Sequence, residues 1–274
     1  MDSDRPVFIV SDRTGITAET LGHSLLTQFE GVRFSVTTVP FLNTPDKANA
    51  LVERIRVAGA TSGLRPLVFS TLVDEALRTI VSRAEAQVVD FFDAFIGPLE
   101  RELGVPSSHA SGRAHGMSDY TTYTNRIEAM NFALANDDGV TTRHYAHADL
   151  VLVGVSRSGK TPTSLYLALQ YGLNAAKYPL TIDDLELGRL PAKLMEHKPK
   201  LFGLTIDAER LTQIRNERRP DSRYAAGEQV RFEVRSAEAL FSSVGIPCVN
   251  TTHMSIEEIA TTIMHTTGLK RRNY

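Results

Sequence analysis

Several features that would assign a chain to a specialised class are scarce in this sequence. Its 274 residues include a single cysteine, Cys248, and no tryptophan. One cysteine excludes an intramolecular disulfide and a zinc site built from several cysteines, and it is compatible with a reducing compartment. We expect Cys248 to be packed inside a strand, where free cysteines usually lie.

Charge of one sign and long apolar runs are also lacking. The chain has 30 Lys and Arg against 32 Asp and Glu, for a formal net charge of −2. Nucleic-acid-binding proteins rely on clustered basic residues, so we expect no nucleic-acid partner. The longest apolar runs have strand length, far short of the ~20 residues of a membrane span, and no signal-peptide core follows the polar N-terminus. We therefore expect a soluble, cytoplasmic protein with no membrane partner.

The sequence does contain an alternation of short apolar runs with amphipathic segments. This alternation predicts an α/β fold with mostly parallel sheets and flanking helices. We predict an N-terminal α/β domain at 1–103, a mobile loop and connecting helix at 104–147, and a P-loop kinase-like nucleotide-binding domain at 148–274. Strands are predicted at 7–10, 34–41, 67–70, 88–90, 150–153, 201–206 and 247–249, and helices at 17–29, 47–58, 74–86, 125–136, 162–171, 208–217 and 255–265.

The segment 154–161 matches the phosphate-binding pattern G-x-x-x-x-G-K-[ST] at every fixed position, between a predicted strand and a predicted helix. In such a loop the backbone N–H groups surround phosphate oxygens, Lys160 neutralises their charge and the Thr161 hydroxyl holds Mg²⁺. The alternative is a chance match in a turn rich in glycine and serine, and Arg157 could simply face solvent. We predict that the nucleotide-binding residues are Gly154, Val155, Ser156, Arg157, Ser158, Gly159, Lys160 and Thr161.

A second strand-loop-helix pattern contains Asp12, Thr14 and Gly15. Gly15 can adopt a positive φ, and the start of the following helix favours an anion. These residues could form a second phosphate or acceptor site, or an ordinary turn between a strand and a helix.

Two further groups of charged residues lie in the C-terminal half. Asp207 follows an apolar strand, where a carboxylate can hold Mg²⁺ through water or cap the next helix. Arg215, Arg218 and Arg219 resemble the arginine-rich lid of P-loop kinases, in which guanidinium groups stabilise a transferring phosphoryl group. They could equally belong to the solvated end of a helix.

The segment 148–164 closely resembles the bacterial regulatory proteins of phosphoenolpyruvate synthase, which are related to the regulators of pyruvate,phosphate dikinase. The stretch 175–180 looks more like the synthase-regulating branch. Further segments that resemble this family, at positions across almost the whole chain, are 11–19, 126–129, 137–139, 201–207 and 255–258.

The resemblance implies two opposed reactions on a target enzyme, phosphoenolpyruvate synthase. One is an ADP-dependent phosphorylation of a threonine, which inactivates the target. The other is a phosphate-dependent removal of that phosphoryl group as pyrophosphate, which restores activity. ADP, Mg²⁺ and orthophosphate are the implied cofactors and co-substrates.

Within these reactions, Lys160 would act on the transferring phosphoryl group and either Asp12 or Asp207 would orient the target hydroxyl. Thr14 with Gly15, or Arg215 with Arg219, would bind the second anion. A P-loop kinase for a small metabolite and a regulator of pyruvate,phosphate dikinase are the alternatives. A guanine-nucleotide switch is disfavoured because the chain has no Asn-Lys-x-Asp motif. A homodimer is the default expectation for assembly.

Overall fold

The computed structural model describes residues 4–108, 120–135, 142–220 and 222–272. The chain forms two compact units, Met1–Gly116 and Met117–Tyr274. The loop predicted to start at residue 104 lies largely outside the described residues, and so does the 137–139 segment. Within the described residues, no helix has the length and apolar character needed to cross a membrane.

The first unit alternates strands and helices along its whole described length. Its four described strands form one parallel sheet in the order β2-β1-β3-β4. The elements are β1 (Arg5–Val10), α1 (Ile16–Leu26), β2 (Phe34–Val39), α2 (Pro45–Ser62), β3 (Leu67–Ser70), α3 (Glu75–Val81), β4 (Gln87–Asp90) and α4 (Phe91–Leu103).

Strand β1 shows how this sheet is buried on both faces. Successive side chains of a strand point to opposite faces. Val7 and Ile9 therefore pack with residues of α1 and with Phe91, at the start of α4. Phe8 and Val10 pack on the other face, in a core that includes residues of α2 and α3. This accounts for the uninterrupted apolar run of the strand, which is typical of parallel sheets covered by helices.

The second unit contains the other described sheet, which is parallel with the order β6-β5-β7-β8. Three short 3-10 helices lie at Thr142–His147, Lys198–Lys200 and Arg223–Ala225. The other elements are α5 (Tyr120–Ala135), β5 (Leu150–Gly154), α6 (Lys160–Tyr171), β6 (Ala175–Pro179), α7 (Ile182–Leu187), α8 (Ala192–Met195), β7 (Leu201–Thr205), α9 (Ala208–Arg218), α10 (Gly227–Val244), β8 (Cys248–Asn250) and α11 (Ile256–Thr267).

The two sheets have the same strand order, with the first strand of each unit placed second. In each unit the chain moves outward from this first strand and then returns to its other side. A crevice opens at such a reversal, outside the carboxyl ends of the two central strands, and ligands bind there in open α/β sheets. In the second unit these central strands are β5 and β7, so the loop after β5 lies at the reversal.

The predicted α/β fold class and its parallel sheets are confirmed. Besides the three 3-10 helices, five described strands and α-helices were not predicted. Strand β6 consists of Ala-Ala-Lys-Tyr-Pro, which has few strand-forming residues. Helix α4 has Pro98 in its interior, and α10 starts without a side-chain cap. The helices α7 and α8 are only 6 and 4 residues long.

Two local expectations are wrong. Residues Tyr120 to Tyr123 belong to helix α5, although the sequence around them predicts a loop. Cys248 lies in a strand as expected, but it is exposed because β8 is an edge strand of its sheet.

Candidate functional site

The loop between β5 and α6 has the geometry that its glycine pattern predicts. Strand β5 lies between β6 and β7 and ends at Gly154, and α6 begins at Lys160. Gly159 immediately precedes the helix with a φ of 92°, and no side chain caps the helix start. The first N–H groups of an α-helix have no partner within the helix, so they are available to an anion. The strand, loop and helix expected around a P-loop are all present.

Gly154 is required by the close approach of the neighbouring backbone. A Cβ atom at this position would lie 2.4 Å from the carbonyl oxygen of Leu204 and 2.6 Å from the Oγ of Ser158. Both distances are shorter than real Cβ contacts, and the first involves backbone that cannot easily move. Strand β7 therefore packs directly against the start of the loop only because residue 154 has no side chain.

Lys160 folds back onto the loop that precedes it. Its Nζ donates hydrogen bonds of 2.8 Å to the carbonyl oxygens of Gly154 and Val155, and the residue is only 8% exposed. A buried ammonium group needs such partners because desolvation of an unpaired charge is costly. The two carbonyls are neutral, so phosphate oxygens would be stronger acceptors for the same group.

The hydroxyl groups around the helix start differ in exposure. Thr161, in the first turn of α6, is exposed. Ser158 is fully buried, and its Oγ has no hydrogen-bond partner among the described residues. Arg157 is exposed and has a φ of 75°, which is uncommon for a residue with a side chain. Thr161 carries a hydroxyl oxygen, the kind of ligand that Mg²⁺ prefers.

Asp207 lies at the carboxyl end of the same sheet, just after β7. It occupies the N-cap position of α9, but its side chain makes no capping hydrogen bond. Its Oδ1 instead accepts a hydrogen bond of 2.7 Å from Nδ2 of Asn250, at the end of β8. The expected capping role of the Asp207 carboxylate is thus wrong.

Residues after β8 connect Asp207 to the P-loop. The Oγ1 of Thr252 accepts a hydrogen bond of 2.8 Å from the backbone N–H of Asp207. The Oγ1 of Thr251 is 3.3 Å from the carbonyl oxygen of Ser158 and 3.1 Å from that of Thr205. Sequence analysis missed these threonines, although their polar run follows a predicted strand and would be expected at the carboxyl end of the sheet.

Arg215 is buried, whereas a side chain that binds an incoming phosphate must be accessible. Its side chain is fully buried in α9 and forms an ion pair of 2.7 Å with Glu233 of α10. It also donates a hydrogen bond to the carbonyl oxygen of Ser156 in the P-loop. The interpretation of Arg215 as a direct phosphate ligand is therefore corrected, because its guanidinium is enclosed by protein partners. Arg219 is exposed at the end of α9, and its role stays a prediction.

The predicted second site lies in the first unit, in the loop between β1 and α1. Gly15 is the N-cap of α1 with a φ of 83°, and no side chain caps this helix. Asp12 is half-buried and Thr14 is exposed. The buried hydroxyl of Ser11 supports the loop by accepting hydrogen bonds from the Thr71 hydroxyl and the Arg13 N–H. The helix start resembles that of α6, but Ile16 takes the place that Lys160 has there.

Within the described residues, no group of three or more His, Cys, Asp or Glu side chains is arranged to hold a metal ion. Thr161 and Asp207 are the oxygen donors of the second unit that the sequence associates with Mg²⁺. A nucleotide-bound Mg²⁺ needs only one or two protein ligands besides the phosphates. These residues therefore fit a metal ion that binds together with a nucleotide.

Comparisons with known proteins identify a family that the chain resembles along nearly its whole length. A family model described as kinase/pyrophosphorylase matches residues 7–264. Three similar proteins are provisionally named phosphoenolpyruvate synthase regulatory proteins. The chain is 58% identical to the one from Alkalilimnicola ehrlichii over 100% of this chain and 99% of the relative. It is 57% identical to that from Halorhodospira halophila, over 99% and 100%, and 56% identical to that from Cupriavidus pinatubonensis, over 98% and 89%.

Proposed function

Because the chain belongs to the kinase/pyrophosphorylase family, we propose that it is a bifunctional regulator of phosphoenolpyruvate synthase. Membership in the family makes it an enzyme of the phosphotransferase type. The target comes from the names of its relatives and from the resemblance of the sequence itself. In one direction the protein would transfer a phosphoryl group from ADP to a threonine of the synthase, which inactivates the synthase. In the other direction the protein would use orthophosphate to remove that phosphoryl group as pyrophosphate, which restores synthase activity.

The observation that best supports phosphoryl transfer is the position of Lys160. Its ammonium group lies within the P-loop on two neutral carbonyl oxygens, beside a helix start with no side-chain cap. On nucleotide binding we expect this group to exchange the carbonyls for the oxygens of the β-phosphate of ADP. It would then neutralise charge that develops during transfer.

The kinase reaction can be written with the residues of the second unit. The threonine Oγ forms a bond to the β-phosphorus of ADP, the bond from that phosphorus to the bridging oxygen breaks, and AMP leaves. The hydroxyl proton passes to a carboxylate. Asp207 is favoured over Asp12 for this role because it lies at the same carboxyl end of the same sheet as the P-loop. Thr161 would hold Mg²⁺, which would neutralise phosphate charge.

The reverse reaction needs a second anion, orthophosphate. One of its oxygens bonds to the phosphorus of the phosphothreonine, the bond from phosphorus to Oγ breaks, and pyrophosphate leaves as Oγ takes up a proton. Thr14 and Gly15, at the uncapped start of α1, are the proposed binding residues for an anion, with exposed Arg219 as the other candidate.

The test uses the purified protein, phosphoenolpyruvate synthase, Mg²⁺ and ADP labelled on its β-phosphate. We expect label on a synthase threonine together with falling synthase activity, and then release of labelled pyrophosphate and recovery of activity when ADP is replaced by orthophosphate. Label on pyruvate,phosphate dikinase alone would change the target. Absence of label on both proteins, with transfer to a small molecule instead, would replace the proposal with a metabolite kinase.

A further inference from the structure

The buried ion pair between α9 and α10 contacts the P-loop directly. Arg215 is 0% exposed, and its Nη2 lies 2.7 Å from Oε2 of Glu233. The other oxygen of Glu233 accepts a hydrogen bond of 3.1 Å from the Gln229 amide. A guanidinium enclosed in protein is costly unless its charge and donors are satisfied. A hydrophobic residue would fill the same space at less cost, so the presence of arginine calls for a specific reason.

That reason lies in the other contacts of the guanidinium. Nη2 also donates a hydrogen bond of 3.1 Å to the carbonyl oxygen of Ser156, and Nη1 donates one of 3.0 Å to that of Tyr224. The guanidinium carbon lies 4.3 Å from the centre of the Tyr224 ring. The Tyr224 hydroxyl is in turn 2.9 Å from the hydroxyl of Ser156. Ser156 is therefore held at its carbonyl by Arg215 and at its side chain by Tyr224.

The carbonyl contact also fixes an N–H group of the P-loop. The carbonyl of Ser156 and the N–H of Arg157 belong to one planar trans peptide unit, so they point in opposite directions. When Arg215 holds the carbonyl on one side, the N–H must point away from Arg215. Arg157 has a φ of 75°, a conformation that is strained for a residue with a side chain. Such a conformation persists only where surrounding contacts impose it.

We propose that Arg215 and Tyr224 are positioning residues, which hold Ser156 so that the N–H of Arg157 is directed toward the phosphates of the bound nucleotide. This inference rests on the proposed function, since it assumes that ADP is bound by the P-loop. Neither residue touches the nucleotide in this role. Their effect passes through Ser156, so conservative changes that remove only the contacts with Ser156 should weaken ADP binding.

A double-mutant cycle between Tyr224 and Ser156 tests this coupling. Tyr224→Phe removes only the hydroxyl and keeps the ring beside Arg215. We expect Tyr224→Phe to weaken ADP binding by about fivefold, the effect of one net hydrogen bond, as measured by titration calorimetry. In a Ser156→Ala background the same change should have no further effect. The matched control is Tyr145→Phe, which removes a hydrogen bond of 3.0 Å to the backbone carbonyl of Lys177 and should leave ADP affinity unchanged.

Arg215→Lys supplies a second, independent measurement. Lysine keeps the positive charge for Glu233, but it lacks the planar fork that reaches Ser156 and Tyr224 together. We expect ADP binding to fall by about tenfold or more, while thermal denaturation shows a folded protein.

The outcomes separate this inference from the proposed function. If the wild-type protein does not bind ADP, the proposed function fails. If the wild type binds ADP and both Tyr224→Phe and Arg215→Lys bind it with wild-type affinity, only the positioning role is overturned. If Tyr224→Phe weakens binding equally with and without the Ser156 hydroxyl, Tyr224 does not act through Ser156 and the inference is likewise wrong.

Discussion

Nδ2 of Asn250 donates a hydrogen bond of 2.7 Å to Oδ1 of Asp207. The amide oxygen of Asn250, Oδ1, accepts hydrogen bonds from both the backbone N–H and the hydroxyl of Thr252, at 2.9 and 2.6 Å. These two bonds determine the orientation of the Asn250 amide. An NH₂ group in the place of this oxygen could not accept the hydrogen bond from the backbone N–H of Thr252. Thr252 thereby fixes Asn250, and Asn250 holds the Asp207 carboxylate at the carboxyl end of the sheet.

This arrangement predicts graded effects on phosphoryl transfer. Asp207→Asn should lower the transfer rate by about 10²-fold or more, the typical effect of losing a general base. Asn250→Ala should lower it by about tenfold, because it removes only the group that orients the carboxylate. Both are measured as the initial rate of label transfer from ADP.

Asp12→Asn is the comparison that decides between the two carboxylates. We expect it to retain the transfer rate from ADP. A large loss in Asp12→Asn together with full activity in Asp207→Asn would assign the role to Asp12 and leave the Asn250 contact a structural one.

Replacement of Lys160 by Met should abolish ADP-dependent transfer and leave the protein folded. The methionine keeps much of the apolar stem but cannot bind phosphate oxygens. Lys200→Met is the matched control, because Lys200 Nζ also contacts two consecutive backbone carbonyls, those of Tyr145 at 3.4 Å and Ala146 at 2.8 Å. The two variants should have similar melting temperatures, with transfer lost only in Lys160→Met. Equal transfer rates would remove Lys160 from the mechanism.

Features of the fold that depend on neighbouring residues in the sequence were predictable. The α/β class follows from the alternation of apolar strands with amphipathic helices. The strand, loop and helix around residues 154–161 follow from a glycine-rich spacing between an apolar run and an amphipathic segment. The Ser-x-x-Glu pattern at 255–258 is also a local signal of a helix start, and it forms a capping box in which the hydroxyl of Ser255 accepts from the N–H of Glu258 and the Glu258 carboxylate accepts from the N–H of Ser255.

The parts that sequence analysis missed are contacts between residues far apart in the chain. Arg215 contacts Ser156 across 59 residues, Asn250 contacts Asp207 across 43, and Thr251 contacts Ser158 across 93. No periodicity or motif encodes such pairs, because they form only when parallel strands bring their carboxyl ends together. For the same reason the sequence alone makes Arg215 a candidate phosphate ligand, because it does not reveal the buried partners of this residue.

Gly154→Ala should disrupt the P-loop because the added methyl group meets the backbone oxygen of Leu204 at 2.4 Å. Relief of the contact requires a shift of β5 or β7, so we expect a lower melting temperature and at least tenfold weaker ADP binding.

Gly97→Ala in helix α4 is the control for Gly154→Ala. Its Cβ would meet only the end of the flexible Arg101 side chain, at 3.7 Å. That variant should be as stable as the wild type or slightly more so, because alanine favours a helix. Normal ADP binding by Gly154→Ala would show that the contact is easily relieved.

The single cysteine allows the electrostatics at the edge strand β8 to be measured by alkylation. Although Cys248 is exposed overall, desolvation of its thiol raises the pKa, and the Glu238 carboxylate raises it further because it disfavours a nearby thiolate. The thiolate is the reactive form, so the rate of reaction with iodoacetamide should rise with pH around a midpoint above the ~8.5 of a free thiol.

Glu238→Gln removes the negative charge and should move this midpoint to lower pH. The glutamine oxygen can still accept the hydrogen bond of 2.7 Å from Thr205, so the fold should be retained. Glu228→Gln, at an exposed position in the first turn of the same helix, should leave the midpoint unchanged. An unchanged midpoint in Glu238→Gln would mean that desolvation alone raises the pKa of Cys248.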